Sequence, residues 1–192
     1  MNALHDRIID ISKKHKLSHL GSTLTSVDII DSIYDKKKEG EPFILSMGHA
    51  ALALYVVLEK RDVMNAEIIY KYHGSHPVMC DKCEIYCSTG SLGMGLPIAL
   101  GMAIADRGRD VYCLISDGEC FEGAVWETAN MMRTYDITNL KVYLNYNGFS
   151  AYGTVHPWMI DNIKAVMPSI TIVPTDVRDY GLDGLSAHYI TL

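Results

Sequence analysis

Apolar positions along the chain recur with two different spacings, and polar or glycine-rich breaks separate the segments. Spacings of three and four residues predict amphipathic helices, while short continuous apolar runs are typical of buried parallel strands. The predicted helices cover residues 4–16, 48–60, 64–72, 92–106, 122–134 and 158–166. A further predicted helix has Thr25 or Ser26 as its N-cap, continues through Val27 and Ile33, and ends at the lysine run 36–38 and Gly40. The predicted strands cover residues 43–45, 111–116, 141–144, 170–173 and 189–191.

The order of these segments predicts the fold class. From residue 111 onward, strands and helices alternate with short links, which indicates an α/β fold. We expect a single domain over residues 1–192, with a mostly parallel sheet and helices on both faces. Residues 74–89 lack a clear period and are expected to form a loop. The segment 92–106 is apolar or small on every face, which predicts a buried helix.

Composition and charge exclude several classes of protein. The 192 residues include 17 basic and 23 acidic ones, so the net charge is −6, and 48% of the residues are hydrophobic. This acidic balance argues against a dedicated nucleic-acid binder. The longest apolar runs are too short to span a bilayer, and the N-terminus has no apolar segment of the signal-peptide type. Five cysteines, an odd number, favour a reducing cytoplasm over a disulfide framework.

Polar residues follow two neighbouring strands in the predicted order. Asp117 and Gly118 end one strand, and Asn147 follows the next. Ligands of open α/β sheets bind at the carboxyl ends of the strands. A carboxylate, an amide oxygen and the nearby carbonyl of Phe149 form an all-oxygen set that suits Mg²⁺ or Ca²⁺, and Gly118 lets an anion approach the backbone. Taken separately, the two segments are also ordinary turn signals, since each polar residue precedes a glycine.

With its flanks, this constellation resembles the thiamine diphosphate signature of the transketolase family. The matching segments are Ser18-His19-Leu20-Gly21, Leu45-Ser46-Met47-Gly48-His49, His76-Pro77, Ser88-Thr89-Gly90-Ser91-Leu92-Gly93-Met94-Gly95, Asp117-Gly118, Glu122-Gly123, Trp126-Glu127 and Asn147. They cover roughly His15 to Tyr152, in the order that the family shows. Two positions depart from the family pattern, because Leu20 replaces a proline and Ser116 replaces the commoner glycine.

The resemblance implies thiamine diphosphate as the cofactor, held through Mg²⁺ or Ca²⁺. The implied metal ligands are Asp117, Asn147 and the carbonyl of Phe149. The implied cofactor-binding residues are His49, Gly90, Leu92, Asp117, Gly118 and Asn147. The implied catalytic residues are His19, His49 and His76, which would line the substrate channel, and Glu122, which would couple paired active sites.

The resemblance also implies a reaction and a partner. Transketolases transfer a two-carbon ketol unit from a ketose to an aldehyde, and a second domain supplies the glutamate that activates the cofactor. These 192 residues hold no match to that domain. We therefore expect the N-terminal subunit of a split enzyme, with a separate C-terminal subunit, in an α2β2 assembly that acts on sugars or sugar phosphates. Residues 92–105 and Met131-Met132 are the expected interface.

Two alternatives remain open from the sequence. One is a subunit of a 2-oxo acid decarboxylase or dehydrogenase that uses the same cofactor, and the other is a non-catalytic scaffold relic of such a domain. The histidine trio favours the transketolase reaction, because a ketose has hydroxyls for imidazoles to bind and a 2-oxo acid has few.

A cysteine-rich segment lies between the histidine and glycine motifs. Cys80, Cys83 and Cys87 have a spacing that is found in zinc and iron–sulfur sites. Only three thiols are present and no second Cys-x2-Cys pair follows, so we expect the thiols to be incidental and the protein to carry no stoichiometric zinc or iron. Cys113 falls in a predicted strand and is expected to be a small core residue.

Overall fold

A four-stranded sheet of parallel strands lies at the centre of the computed structural model, which describes residues 2–151, 153–184 and 186–191. The strands are β1 (Phe43–Leu45), β2 (Val111–Ser116), β3 (Leu140–Tyr146), β4 (Phe149–Ser150), β5 (Gly153–Thr154) and β6 (Thr171–Pro174). The order across the sheet is β1-β2-β3-β6, while β4 and β5 pair as a separate antiparallel hairpin.

Helices cover both faces of the sheet, as the sequence predicts. They are α1 (Ala3–His15), α2 (Leu20–Lys36), α3 (Ala51–Lys60), α4 (Ala66–His73), α5 (Gly95–Ala105), α6 (Gly123–Thr134), α7 (Pro157–Val166) and α8 (Ser186–Tyr189). Alternate residues of β2 enter two separate apolar clusters. Tyr112 and Leu114 pack with residues of α1 to α4, whereas Val111, Cys113 and Ile115 pack with residues of α5 to α7. Since side chains alternate along a strand, this division places the two helical layers on opposite faces.

Helix α2 begins at Leu20, five residues before the predicted N-cap at Thr25. The hydroxyls of Thr25 and Ser26 lie inside the helix and donate to carbonyls one turn back, of Gly21 (2.9 Å) and Ser22 (2.6 Å). The prediction was wrong because Ser and Thr serve equally well as caps and, through such back-bonding, as buried helical residues.

The predicted strand at residues 189–191 is also wrong, because Ser186–Tyr189 forms the short helix α8. This helix packs on α2, where a Cβ at Gly21 would lie 2.8 Å from the Cβ of Ala187. Glycine at this position thus allows two helices to approach closely.

The predicted buried helix at residues 92–106 begins later, at Gly95, and is buried on one side only. Leu96, Ala99 and Ala103 face the core, but Ile98 and Ile104 are 36% and 40% exposed. An all-apolar helix therefore presents an uncovered apolar face. In the described part of the chain, each helix falls short of the length or the apolarity that crossing a membrane needs.

A buried polar network joins α2 to the sheet. Asn145 in β3 is fully buried, and its side-chain amide donates to the hydroxyls of Thr25 (2.9 Å) and Ser26 (3.1 Å). Its amide oxygen accepts a hydrogen bond from the Thr175 hydroxyl at 2.6 Å. The network orients α2, whose first turn carries one side of the cavity described below.

Replacing Asn145 by Ala is expected to lower the free energy of unfolding by about 1–3 kcal/mol, because buried hydroxyls lose their partners. Asn130→Ala, at an exposed position of α6, is the matched control and is expected to change stability by less than about 0.5 kcal/mol. Denaturant unfolding of both variants measures the difference. Equal effects at the two sites would show that the network does not anchor α2.

Candidate active site

A cavity of about 220 Å³ opens at the carboxyl ends of the parallel strands. Sequence-predicted residues that line it are His19, His49, His76, Gly90, Leu92, Asp117, Gly118, Asn147 and Phe149. Lining residues that the sequence reasoning missed are Ser22, Ser116, Ser150, Ala151 and Tyr189. Residues far apart in the chain therefore converge on one cavity.

The pairing of β2 with β3 brings the candidate metal ligands together. Ser116 pairs with Asn145, so Asp117 and Asn147 leave the sheet side by side. The Asp117 carboxylate accepts backbone N–H bonds from Gly118 (2.9 Å) and Gly148 (2.7 Å). The amide oxygen of Asn147 accepts the N–H of Phe149 at 2.9 Å. Both side chains are thus fixed by the backbone that follows their strands.

Burial makes the Asp117 carboxylate costly in its charged form. The side chain is fully buried, and this desolvation raises its pKa to about 7, although the N–H bonds from Gly148 and Gly118 act in the opposite direction. A hard divalent cation beside the oxygens would stabilise the charged form. The donor set of Asp117, Asn147 and the Phe149 carbonyl consists of oxygens only, which fits Mg²⁺ or Ca²⁺.

Two glycines in the cavity lining allow neighbouring segments to pack closely. A Cβ at Gly118 would lie 3.2 Å from the Cβ of Ser150, so glycine lets the β4–β5 hairpin pack against the end of β2. A Cβ at Gly90 would lie 3.3 Å from the His76 ring. Packing alone therefore explains why both positions hold glycine, in addition to the cofactor contact that the resemblance implies.

The three histidines come from three different segments. His19 caps α2 with a left-handed backbone (φ 60°), and His49 lies in a 3-10 turn after β1. Their ring centroids are 5.2 Å apart. His76 lies in the loop between α4 and α5 and lines the same cavity. The structure thus groups the three imidazoles around one cavity.

The structure identifies a buried carboxylate that the sequence reasoning missed. Glu119 is fully buried and accepts bonds from the Ser46 hydroxyl (2.5 Å), the Gly93 N–H (2.8 Å) and the Ser116 N–H (2.8 Å). Burial raises its pKa, while these bonds lower it. The spacing Ser116-x-x-Glu119 is a capping-box signal, and it could have identified this residue.

Glu122, in contrast, does not line the cavity. It is the N-cap residue of α6, and its side chain packs against Gly93. A Cβ at Gly93 would lie only 2.6 Å from the Glu122 Cβ. Gly93 also has a positive φ of 76°, so glycine is required there on both counts. The coupling role of Glu122 stays a prediction.

Comparison with known proteins identifies a family for this chain. The model of "Transketolase, thiamine diphosphate binding domain" matches residues 1–171. The chain belongs to the transketolase family. The predicted fold class is confirmed as well: a transketolase structure from Campylobacter jejuni superposes with a TM-score of 0.68 at 18% identity, over 91% of this chain and 38% of that one.

Sequence relatives include two proteins that are named as transketolase subunits. An apulose-4-phosphate transketolase subunit of Phocaeicola vulgatus is 30% identical over 173 residues, which cover 80% of this chain and 61% of the relative. The subunit of the same name from Actinobacillus succinogenes is 31% identical over 155 residues, which cover 70% of this chain and 56% of the relative. The match thus spans about three fifths of the length of these relatives. Human transketolase is 37% identical over 123 residues, only 20% of its length.

The raised pKa of Asp117 makes stability depend on pH in a defined direction. Between its unfolded pKa near 4 and its folded pKa of about 7, the folded state holds a proton that the unfolded state has lost. Stability without divalent cations is therefore expected to fall as the pH rises from 5 to 8, by about 1–3 kcal/mol from this group.

The variant Asp117→Asn is expected to lose this contribution and to be more stable than the unmodified protein at pH 8. Asp161→Asn, at an exposed position of α7, controls for the loss of one charge. Urea unfolding at pH 5 and pH 8 in the presence of a chelator measures both. The same pH dependence in Asp117→Asn and in the unmodified protein would contradict the assignment.

Proposed function

We propose that this chain is the N-terminal, thiamine diphosphate-binding subunit of a split transketolase-like enzyme. The reaction is transfer of a two-carbon ketol unit from a ketose to an aldehyde, with sugars or sugar phosphates as substrates and the cytoplasm as its compartment. One observation carries the proposal: a single cavity holds both the oxygen ligands that suit a Mg²⁺-bound diphosphate and three histidines that suit a polyhydroxylated donor.

The residues at the ends of β2 and β3 would hold the metal and the diphosphate. Asp117, Asn147 and the Phe149 carbonyl supply oxygen ligands, and the backbone at Gly118 faces the cavity without a side chain. The cation would offset the cost of keeping the buried Asp117 charged. When bound, thiamine diphosphate supplies the nucleophilic carbon and the electron sink that carbon–carbon cleavage needs.

The histidines would bind and orient the donor. An imidazole that is neutral near pH 7 donates through one nitrogen and accepts through the other, so it can hold a sugar hydroxyl and move its proton. His19 and His49 lie as neighbours on one wall, and His76 approaches from the loop that packs on Gly90. Three such groups around one cavity favour a ketose over a 2-oxo acid, which has few hydroxyls.

An apolar surface supports the proposal of a second, partner chain in an α2β2 assembly. Helices α5 and α6 pack together and carry exposed apolar side chains, among them Ile98 (36%) and Met131 (42%), and the exposed Tyr135 (53%) directly follows α6. Met132 does not belong to this surface, contrary to expectation, because it is 5% exposed and packs in the core. Exposed large apolar side chains on adjacent helices are typical of an interface. The two bacterial relatives, both named as transketolase subunits, are consistent with this proposal.

The metal assignment predicts that Asp117→Ala abolishes the Mg²⁺-dependent binding of thiamine diphosphate to the assembled enzyme, because the cation that would neutralise the diphosphate loses its charged protein ligand. Asp161→Ala, at an exposed position of α7, is expected to bind normally. Calorimetric titration with and without Mg²⁺ measures both affinities. Unchanged affinity in a folded Asp117→Ala complex would refute the site.

The reaction class predicts that His76→Ala slows ketol transfer by about 10²-fold or more in the assembled enzyme, through lost positioning and proton transfer. His156→Ala, at the N-cap of α7 and outside the cavity lining, is the control. A coupled assay with ketose donors measures turnover, and the chain without its partner is expected to be inactive. Decarboxylation of 2-oxo acids without any ketose turnover would instead establish the 2-oxo acid alternative, and cofactor binding without either activity would indicate a relic.

A further inference from the structure

A second group of metal-binding side chains lies outside the cavity. We propose that His73, Cys80 and Cys83 bind one Zn²⁺ ion. The His73 Nε2 lies 3.3 Å from the Cys83 Sγ, and the Cys80 Sγ lies 3.2 Å from the same atom. All three donor atoms lie within 4.8 Å of one another. The proposal reverses the expectation that these thiols are incidental, and it does not rest on the proposed function.

The distances are close to those of a zinc site. Tetrahedral coordination at Zn–S of about 2.3 Å and Zn–N of about 2.0 Å separates two sulfurs by ~3.8 Å and a sulfur from a nitrogen by ~3.5 Å. The two short separations around Cys83 are a few tenths of an ångström below these values. The three donors are therefore already grouped at nearly the spacing that one ion requires.

The backbone holds the two thiols in a tight turn. Cys80 and Ile85 form an antiparallel bridge with N–H···O bonds of 2.9 Å and 3.0 Å, and the Cys83 N–H donates to the Cys80 carbonyl at 3.2 Å. Glu84 closes the turn with a left-handed φ of 53°. A Cys-x2-Cys turn fixed in this way presents both sulfurs to one side, as zinc-binding turns do.

The third donor comes from a different element. His73 is the last residue of α4, and its ring lies against that of Tyr55, with centroids 6.4 Å apart. The sequence gives no sign of this ligand, because His73 precedes Cys80 by seven residues and belongs to a helix. The fold thus adds a third ligand, His73, to the two that the Cys-x2-Cys spacing supplies.

The fourth position of the ion is assigned to solvent. Cys83 is buried, but His73 and Cys80 are both partly exposed, so water can reach the ion between them. Met64 Sδ lies 3.9 Å from the Cys83 Sγ, but a thioether is a ligand for Cu⁺ rather than for Zn²⁺. Cys87 does not contribute, because its thiol donates to the Ser88 carbonyl at 3.2 Å and packs in the other apolar cluster.

An ion at this place would fix the loop between α4 and α5. The loop leaves α4 at His73, passes His76, returns through Cys80 and Cys83, and reaches Gly90 at the cavity. Within this segment, the bonds between backbone groups are those of the turn around Cys80 and one from Thr89 to Pro77 of 3.2 Å, and the Met79 N–H donates to the Ser88 hydroxyl at 2.9 Å. A zinc ion would join the middle of the loop to the end of a helix and so restrict His76.

The test is the metal content of protein purified under reducing conditions without an affinity tag that binds metal. Elemental analysis is expected to find about one zinc per chain. Cys83→Ser and His73→Ala are each expected to lose it, whereas Cys87→Ser, the matched control, is expected to retain it. Cobalt substitution is expected to give thiolate-to-cobalt absorption in the unmodified protein and not in Cys83→Ser.

Several outcomes would overturn the proposal. They are protein without zinc even after incubation with Zn²⁺, stoichiometric copper or iron instead of zinc, a Cys80–Cys83 disulfide as the stable form, and zinc retained in both His73→Ala and Cys83→Ser. If a variant fails to fold, zinc removal from the unmodified protein by a chelator decides the matter. The site is supported if a chelator releases one zinc per chain, if this release lowers the unfolding temperature, and if added Zn²⁺ rebinds. Release of zinc without any change in the unfolding temperature overturns the proposal.

Discussion

The walls of the cavity are joined by one buried carboxylate. Glu119 follows β2, and its oxygens accept hydrogen bonds from Ser46 after β1, from Gly93 before α5 and from Ser116 at the end of β2. A fully buried carboxylate is costly unless its oxygens are satisfied, and here backbone and hydroxyl donors satisfy both. Three chain segments that line or flank the cavity must therefore keep their mutual positions.

The same constraint explains the tight packing around Ser46. Its hydroxyl donates to Glu119 and accepts the N–H of Gly95 at 3.2 Å, and a Cβ at Gly95 would come within 2.5 Å of the Ser46 backbone. Helix α5 thus begins in direct contact with the end of β1. Asp117, two residues before Glu119, is equally buried, but its backbone donors leave one side of the carboxylate toward the cavity. Glu119 thus joins segments of the protein, whereas Asp117 lines the cavity.

Local sequence patterns predicted most of the sheet because β2 is a continuous apolar run and β3 has the apolar core Val142–Leu144, both short and followed by turn signals. The local patterns failed where the same residues are compatible with two different conformations. Thr25 and Ser26 can cap a helix or hydrogen-bond inside one, and the hydrogen bonds from the distant Asn145 stabilise the second arrangement. Residues 189–191 can form a strand only if a sheet edge is available, whereas the contact of α8 with Gly21 favours a helix.

The candidate site shows the same division. Asp117 and Asn147 were predictable because both directly follow strands, and parallel strands bring such positions to one edge. Glu119 was missed because its partners Ser46 and Gly93 are remote in the chain, so a local capping signal is all that the sequence carries. His73 was missed for the same reason, since no spacing rule links a helix end to a Cys-x2-Cys turn that follows a loop. Local patterns in the sequence do not identify residues whose partners are brought close only by the fold.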